Sequence, residues 1–266
     1  MKRYILALIF ISVGTAYGQC RIFTYADQSS TLKKGEKDVE LWTTLFSGKE
    51  NYYFGVEHGF NFDVGLSNRM QATLGLNYGY ANGIEMNNGR QHYFSVNSYS
   101  FSTGLLYKLS DMMTQKSGSA IYLGYTQGST YTEFQGKIIL DKITNRIVQA
   151  FNLTAEYEYY KTFTPNADAI DIGHIGTVEI ELNYGLAYKV AEGLYLGFET
   201  MSQNFFSKSK WESSVLTLGP AISYSVEDKF NINFTLMPQV TDLKTIEREL
   251  DENNKMMARL ILCLSL

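Results

Sequence analysis

The chain has 266 residues, of which 19% are charged, and its formal net charge of −4 argues against a nucleic-acid-binding surface, which would be basic. Three prolines and 20 tyrosines favour strands near a water–lipid boundary, because proline interrupts strands and tyrosine is enriched at that boundary. Cys20 and Cys263 lie at opposite ends of the chain, so they form no metal-binding or redox motif and do not predict a disulfide framework.

The first residues have the pattern of a secretory signal peptide. A basic start (residues 1–3) precedes an apolar stretch (residues 4–13), and small residues occupy positions 16 and 18. The apolar stretch is too short for a membrane-spanning helix, which needs about 20 residues. We predict cleavage after Gly18, with residues 1–18 as the signal peptide and residues 19–36 as a periplasmic segment ahead of the folded domain.

A lipoprotein is the alternative for this terminus, because Cys20 follows the predicted cleavage site closely. Gln19 argues against it, since a small residue normally precedes a lipidated cysteine. Cleavage removes Lys2 and Arg3 and no acidic residue, so 21 of the 23 basic side chains remain against 27 acidic ones and the formal charge becomes −6.

The clearest strand pattern is a hairpin over residues 52–80. Residues 52–66 alternate aromatic or aliphatic side chains with small, polar or acidic ones, and residues 70–80 repeat this alternation after a turn at 67–69. Successive side chains of a strand point to opposite sides, so the hairpin has one apolar and one polar face. Both strands exceed the typical length of about five or six residues, and long alternating strands are typical of a transmembrane β-barrel.

The same alternation continues to the last residue and predicts an all-β fold: an antiparallel up-and-down transmembrane barrel over residues 37–266. We count about 12 strands, with 10 or 14 as alternatives. They cover residues 37–46, 52–66, 70–80, a strand ending at 109, a strand around 121–126, and residues 132–141, 147–159, 178–186, 194–199, 211–225, 230–236 and 256–266.

The connections predict an orientation. Those after the second, sixth, eighth and tenth strands are tight, whereas those after the third, seventh, ninth and eleventh are long and polar, including residues 81–91, 161–176 and 241–255. Outer-membrane barrels have short periplasmic turns and longer external loops. We therefore expect the long loops outside the cell and both termini in the periplasm of a Gram-negative bacterium.

Periodicity alone does not say which face is outside, and a soluble lipocalin-type barrel would place the apolar face inward. The length and number of the strands oppose this alternative, as do the glycines on the polar face and the aromatic residues near strand ends. His58 interrupts the predicted lipid face. It is expected either in a contact between protomers or turned inward by a β-bulge.

The predicted inner face is rich in acid. Its acidic side chains are Glu57, Asp63, Glu133, Glu156, Glu158, Glu179, Glu181 and Glu199, and its basic ones include Lys137 and Arg259. One permitted register places Glu158 beside Glu179 and Glu156 beside Glu181, an unfavourable arrangement that needs cations, water or a shared proton. The set indicates either a wet interior filled by interlocking charges or a cation-attracting pore wall. No metal site is expected, because no histidine accompanies the carboxylates.

Three segments resemble a large group of Gram-negative, Bacteroidetes-like outer-membrane barrels, some labelled as transporters or as phenol-degradation-pathway outer-membrane proteins. They are GVEHG (residues 55–59), GLSNRMQ (residues 65–71) and GKIILDK (residues 136–142). The resemblance implies an outer-membrane barrel and favours transport. It provides no site residues.

These patterns predict a passive channel or binding barrel for small solutes. The alternatives are a closed barrel with a structural or surface-interaction role and a lipid hydrolase or acyltransferase. The enzyme is disfavoured because none of the three histidines begins a His-x-Ser motif. We expect membrane lipid and small solutes as partners, with no catalytic residue, cofactor or nucleic acid, and the oligomeric state stays open.

The signal peptide gives the first testable prediction. Protein isolated from the outer membrane should have Gln19 as its first residue, because the signal peptidase reads the small residues before it. Intact-mass spectrometry of the purified protein measures this. Retention of residues 1–18 would contradict the prediction, and a lipid-modified mass beginning at Cys20 would support the lipoprotein instead.

Overall fold

The computed structural model describes residues 21–87, 90–165, 170–208, 210–226, 229–250 and 253–266. The predicted signal peptide therefore lies outside the described residues. The rest forms the 12 strands predicted from the sequence: β1 Lys37–Ser47, β2 Tyr53–Ser67, β3 Met70–Asn87, β4 Arg90–Ser110, β5 Gly118–Gly128, β6 Tyr131–Thr144, β7 Ile147–Pro165, β8 Ile170–Ala191, β9 Leu194–Ser207, β10 Lys210–Val226, β11 Phe230–Asp242 and β12 Met256–Ser265.

The strands form one closed antiparallel barrel. Each strand pairs with its neighbour in sequence, and β1 pairs with β12 from Asp38 opposite Ser265 to Ser47 opposite Met256. Closure leaves no edge along the seam, as a sheet in lipid requires. We call the end with Lys37 and Ser265 the terminal rim and the other end the distal rim.

The barrel wall has an apolar outside and a polar inside. Leu76 and Leu123 are 60% and 61% exposed on the outer surface, and many other large apolar side chains share it. Asn152, Asn233 and Thr235 are fully buried inside. This distribution suits lipid outside and polar groups within, so the soluble, apolar-inward alternative is wrong. None of the described ranges contains a helix long and apolar enough to cross a membrane.

Two of the predicted external loops are mostly strand. Residues 81–87 continue β3 and residues 90 onward form β4, so this hairpin is paired as far as Asn87 opposite Arg90. Residues 161–165 and 170–176 similarly extend β7 and β8. The sequence pattern missed these extensions because outside the membrane both faces of a strand meet water, and the apolar–polar alternation is lost.

His58 stays on the outer face of the barrel. The pairing of β2 with β3 is regular from Tyr53 to Gly65, so no bulge turns this side chain inward. Its Nδ1 lies 2.9 Å from Thr43 Oγ1, and its ring stacks on Tyr78 at a centroid distance of 6.2 Å. The inward alternative is therefore wrong, and these two neighbours give the ring a polar and an aromatic partner on the wall itself.

Membrane orientation can be tested with single cysteines introduced after Cys20 and Cys263 are replaced by serine. Ser129→Cys and Ile246→Cys lie at the distal rim and should react with a membrane-impermeant maleimide on intact cells. Arg146→Cys and Glu192→Cys lie in tight turns at the terminal rim and should react only after lysis, since short turns face the periplasm. Heat-dependent gel mobility checks folding of each variant, and labelling in the reverse pattern would refute the orientation.

Candidate functional site

The lumen is crossed by the segment that precedes β1. Residues 21–32, which we call the plug, lie inside the half of the barrel near the terminal rim. Phe23, Ala26 and Ser29 are fully buried there, and Leu32 is buried as well. The sequence had placed residues 19–36 in the periplasm, whereas residues 21–32 enter the barrel and residues 33–35 are exposed. Phe23 and Leu32 were the available signal, because apolar side chains are out of place in a segment surrounded by water.

Glu199, on β9, holds the middle of the plug. Its Oε1 accepts hydrogen bonds from Thr24 N at 2.8 Å and Thr24 Oγ1 at 2.9 Å, and from Thr235 Oγ1 on β11 at 2.6 Å. Its Oε2 accepts from Tyr25 N at 2.7 Å and Ala26 N at 2.9 Å. Successive backbone N–H groups that converge in this way form an anion-binding concavity. A carboxylate that is fully buried is thereby satisfied by five donors.

Other wall side chains satisfy the rest of the plug backbone. Asn152 accepts from Asp27 N at 2.6 Å and donates to Asp27 O at 3.0 Å. Asp141 accepts from Ser29 N at 2.6 Å and Ser29 Oγ at 2.8 Å, and Gln71 accepts from Leu32 N at 3.0 Å. Buried backbone donors need such partners, so inward polar side chains of the wall take the place of water along the plug.

The Phe23 side chain is buried in an apolar pocket on the inner face of the wall. It packs with Ala26 of the plug against Val148, Ala150 and Ala187 of the wall. Gly185 makes the fit possible, since a Cβ there would lie 2.6 Å from Phe23 Cδ1. The glycines of the polar face therefore provide room inside the lumen, as the sequence predicted.

Both predicted basic lumen residues contact the plug. Lys137 Nζ and Arg21 Nη1 form ion pairs with the two carboxylate oxygens of Asp27, at 2.5 and 3.0 Å. Arg259 donates to Thr44 Oγ1 at 2.7 Å, and its guanidinium lies 4.3 Å from the Tyr25 ring centroid and 5.1 Å from that of Trp42. Tyr25, Arg259 and Trp42 thus form a stacked layer between plug and wall, which the sequence did not predict.

Six of the eight predicted acidic residues gather on the lumen side of β2 and β6 to β8, further towards the distal rim than the plug. Glu57, Glu133 and Glu158 line a cavity of about 280 Å³ with Trp42 and Tyr131. Glu156, Glu179 and Glu181 lie on the adjoining wall and accept hydrogen bonds from Gln135, Gln203 and Asn183 respectively. We call these six glutamates the acidic vestibule.

The predicted register between β7 and β8 is wrong by two residues. Glu156 faces Glu179, Glu158 faces Thr177 and Glu181 faces Thr154, while Glu158 meets Glu133 on the other side. The hairpin turn sets this register, and its long distal extension was not visible in the sequence pattern. Among the described residues no ion pair within 4.0 Å includes a vestibule glutamate.

The other two predicted acidic residues lie elsewhere. Glu199 is beneath the plug, and Asp63 lines a second cavity near the terminal rim. No group of three or more metal-ligating side chains suited to a metal ion occurs in the described part of the chain. Against expectation, Cys263 is disulfide-bonded, and Cys20, the other cysteine of the sequence, lies outside the described residues.

A family model matches residues 15–265, nearly the whole chain. The chain belongs to DUF6662, a family of unknown function. No curated protein matches the sequence.

Solved structures with the same fold are outer-membrane β-barrels. The COG4313 outer membrane channel from Pseudomonas putida F1 has 7% identity and a TM-score of 0.63, covering 90% of this chain and 98% of its own. The beta domain of the Bordetella autotransporter BrkA has 11% identity and a TM-score of 0.58, with coverages of 88% and 100%. The KdgM porin, solved with disordered oligogalacturonate, has 9% identity and a TM-score of 0.51, with coverages of 86% and 99%. At these identities the likeness establishes the barrel fold alone.

The bonds to Glu199 generate a prediction about plug stability. Replacing it in Glu199→Gln removes the charge and one acceptor oxygen from a site with five donors, so opening of the plug should become easier by about 3 kcal/mol. Hydrogen exchange read by mass spectrometry should show faster exchange across residues 21–32. Glu192→Gln, in an exposed turn of the terminal rim, is the matched control and should leave exchange unchanged. Equal protection in both variants would show that Glu199 does not hold the plug.

Proposed function

We propose that this protein is an outer-membrane barrel that passes small solutes and prefers cations, with the plug as its narrowest part. The acidic vestibule carries the proposal, because six carboxylates on β2 and β6 to β8 line the lumen without an ion pair among the described residues. Carboxylates grouped in a pore attract cations and repel anions. A purely structural filling of the lumen would pair these acids with bases, and the lumen bases Lys137 and Arg259 instead contact the plug.

The location in the outer membrane of a Gram-negative bacterium is part of the proposal. The apolar outer wall and the barrel fold support it, and the signal-peptide pattern of residues 1–18 agrees with it. The resemblance to Bacteroidetes-like barrels labelled as transporters supports the direction of the functional proposal.

A closed barrel is the second candidate, and the plug itself favours it. Residues 21–32 fill much of the lumen near the terminal rim and are bonded to β7, β9 and β11. If the plug never leaves the lumen, the barrel would serve only as a membrane anchor. Its hairpins at the distal rim would then bind partners outside the cell. The two candidates differ in whether ions cross the barrel.

Planar bilayer recording distinguishes them. The mature protein should show small, cation-selective conductance, and a chain lacking residues 21–32 should conduct more, because the segment that fills the lumen is gone. Replacing Glu156, Glu158, Glu179 and Glu181 by glutamine should reduce the shift of reversal potential in a salt gradient.

The matched control replaces four exposed glutamates of the rims and loops, namely Glu50, Glu192, Glu212 and Glu247, and it should retain selectivity despite the same change in net charge. Absence of conductance in the mature protein and in the plug deletion would refute the channel and support the closed barrel.

A further inference from the structure

A second cavity lies between the plug and the wall of β1 to β6, near the terminal rim. Its volume is about 210 Å³, room for roughly seven waters at about 30 Å³ each. Asp38, Glu40 and Asp63 line one side, while Leu32, Leu106 and Ile139 line another. We call this space the terminal chamber. It is separate from the acidic vestibule, with which it shares no lining residue.

The three carboxylates of the terminal chamber are not ion-paired within the part of the chain that the structure describes. Asp38 and Asp63 face each other directly across β1 and β2, and Glu40 follows on the same face. Asp38 is 5% exposed and Glu40 is 8% exposed. No ion pair within 4.0 Å includes any of the three among the residues that the structure describes. Like charges opposed in this way are unfavourable unless something positive lies between them.

The two bases that line the chamber are already engaged. Arg21 uses Nη1 for Asp27, Nε for the carbonyl of Phe23 and Nη2 for the carbonyl of Thr24. Lys137 is paired with the other oxygen of Asp27. Both bases form their ion pairs with the plug, although Arg21 also interacts electrostatically with Glu40 and Asp63. The four acids and two bases that line the chamber leave a formal charge of −2, which an outside cation would balance.

The carboxylate of Asp38 is only partly satisfied, since it accepts a hydrogen bond from the Ser265 side chain at one oxygen. Its Oδ1 is buried and has no hydrogen-bond partner, although buried carboxylate oxygens normally accept at least one bond. Asn61 donates to Glu40 at 3.2 Å and Thr73 donates to Asp63, so the neighbouring acids are partly satisfied. The remaining acceptor, Asp38 Oδ1, belongs to the carboxylate with the smallest exposed fraction of the three.

We propose that the terminal chamber binds a small primary alkylammonium ion. An ammonium group has three N–H donors, which match three separate carboxylates better than a bare metal ion would, since the described residues contain no grouping suited to a metal. A short hydrocarbon tail would lie against Leu32, Leu106 and Ile139. The binding site stands independently of conduction, because the chamber is formed whether or not ions cross the barrel.

Isothermal titration of the full mature protein in detergent, with n-butylammonium chloride, tests this directly. We expect saturable binding of one ion per chain, and no comparable binding of tetramethylammonium, which has the charge without N–H donors. The double variant Asp38→Asn/Asp63→Asn should weaken binding roughly tenfold or more through the loss of charge-assisted bonds. Glu133→Gln/Glu158→Gln makes the same charge change in the acidic vestibule and should bind normally.

Heat-dependent gel mobility confirms that each variant is folded. If the double variant does not fold, the single variant Glu40→Gln replaces it, because it removes only one charge from the chamber. No saturable binding by the mature protein would overturn the site, as would equal binding of tetramethylammonium. Undiminished binding by a folded chamber variant would also overturn it. Bilayer conductance is measured in a separate experiment. Absence of ammonium binding would therefore overturn this site without contradicting the proposed channel.

Discussion

The hydrogen bonds between the Glu199 carboxylate and residues 24–26 hold the plug inside this barrel, and the rest of the lumen depends on them. A fully buried carboxylate is unfavourable unless donors surround it, and the plug supplies four of the five donors that Glu199 receives. The plug in turn has backbone N–H groups that water does not reach inside the lumen. Each therefore stabilises the other, and removal of either would leave buried polar groups without partners.

The side chains on the inner face of the barrel wall match the part of the plug that each of them contacts. Outward residues are mostly apolar, with His58 and Thr43 as a polar pair among them. Inward residues instead differ along the barrel according to what they contact. Small and apolar side chains, such as Ala150 and Gly185, receive Phe23. Amides and hydroxyls contact the plug backbone. Towards the distal rim the wall has no plug to bind, and there it carries the acidic vestibule.

Charged side chains of the lumen are also distributed according to the position of the plug. Arg21, Lys137 and Arg259 all lie at the plug, where they neutralise Asp27 or stack on Tyr25 and Trp42. The acidic vestibule has no ion-paired base among the described residues, and the two bases of the terminal chamber, Arg21 and Lys137, are both paired with Asp27. Both regions have more acidic than basic side chains, which connects the proposed preference for cations with the proposed ammonium site.

Sequence alone predicted the strands and the two faces of each, because alternation is a local property that each strand carries by itself. The count of 12 among the alternatives of 10, 12 and 14, and the apolar face as the outer one, were settled by the closed barrel. The sequence also predicted eight of the inward acids by parity but did not name Asp38, Glu40 and Asp141, which the structure places in the lumen as well. Only the tertiary structure decided which acids meet. Glu156 lies opposite Glu179 because of a hairpin register set beyond the membrane. The position of the plug inside the lumen could not be predicted for a related reason. Thr24 and Glu199 are 175 residues apart, and a local sequence pattern does not indicate contacts between residues that are so distant in the chain.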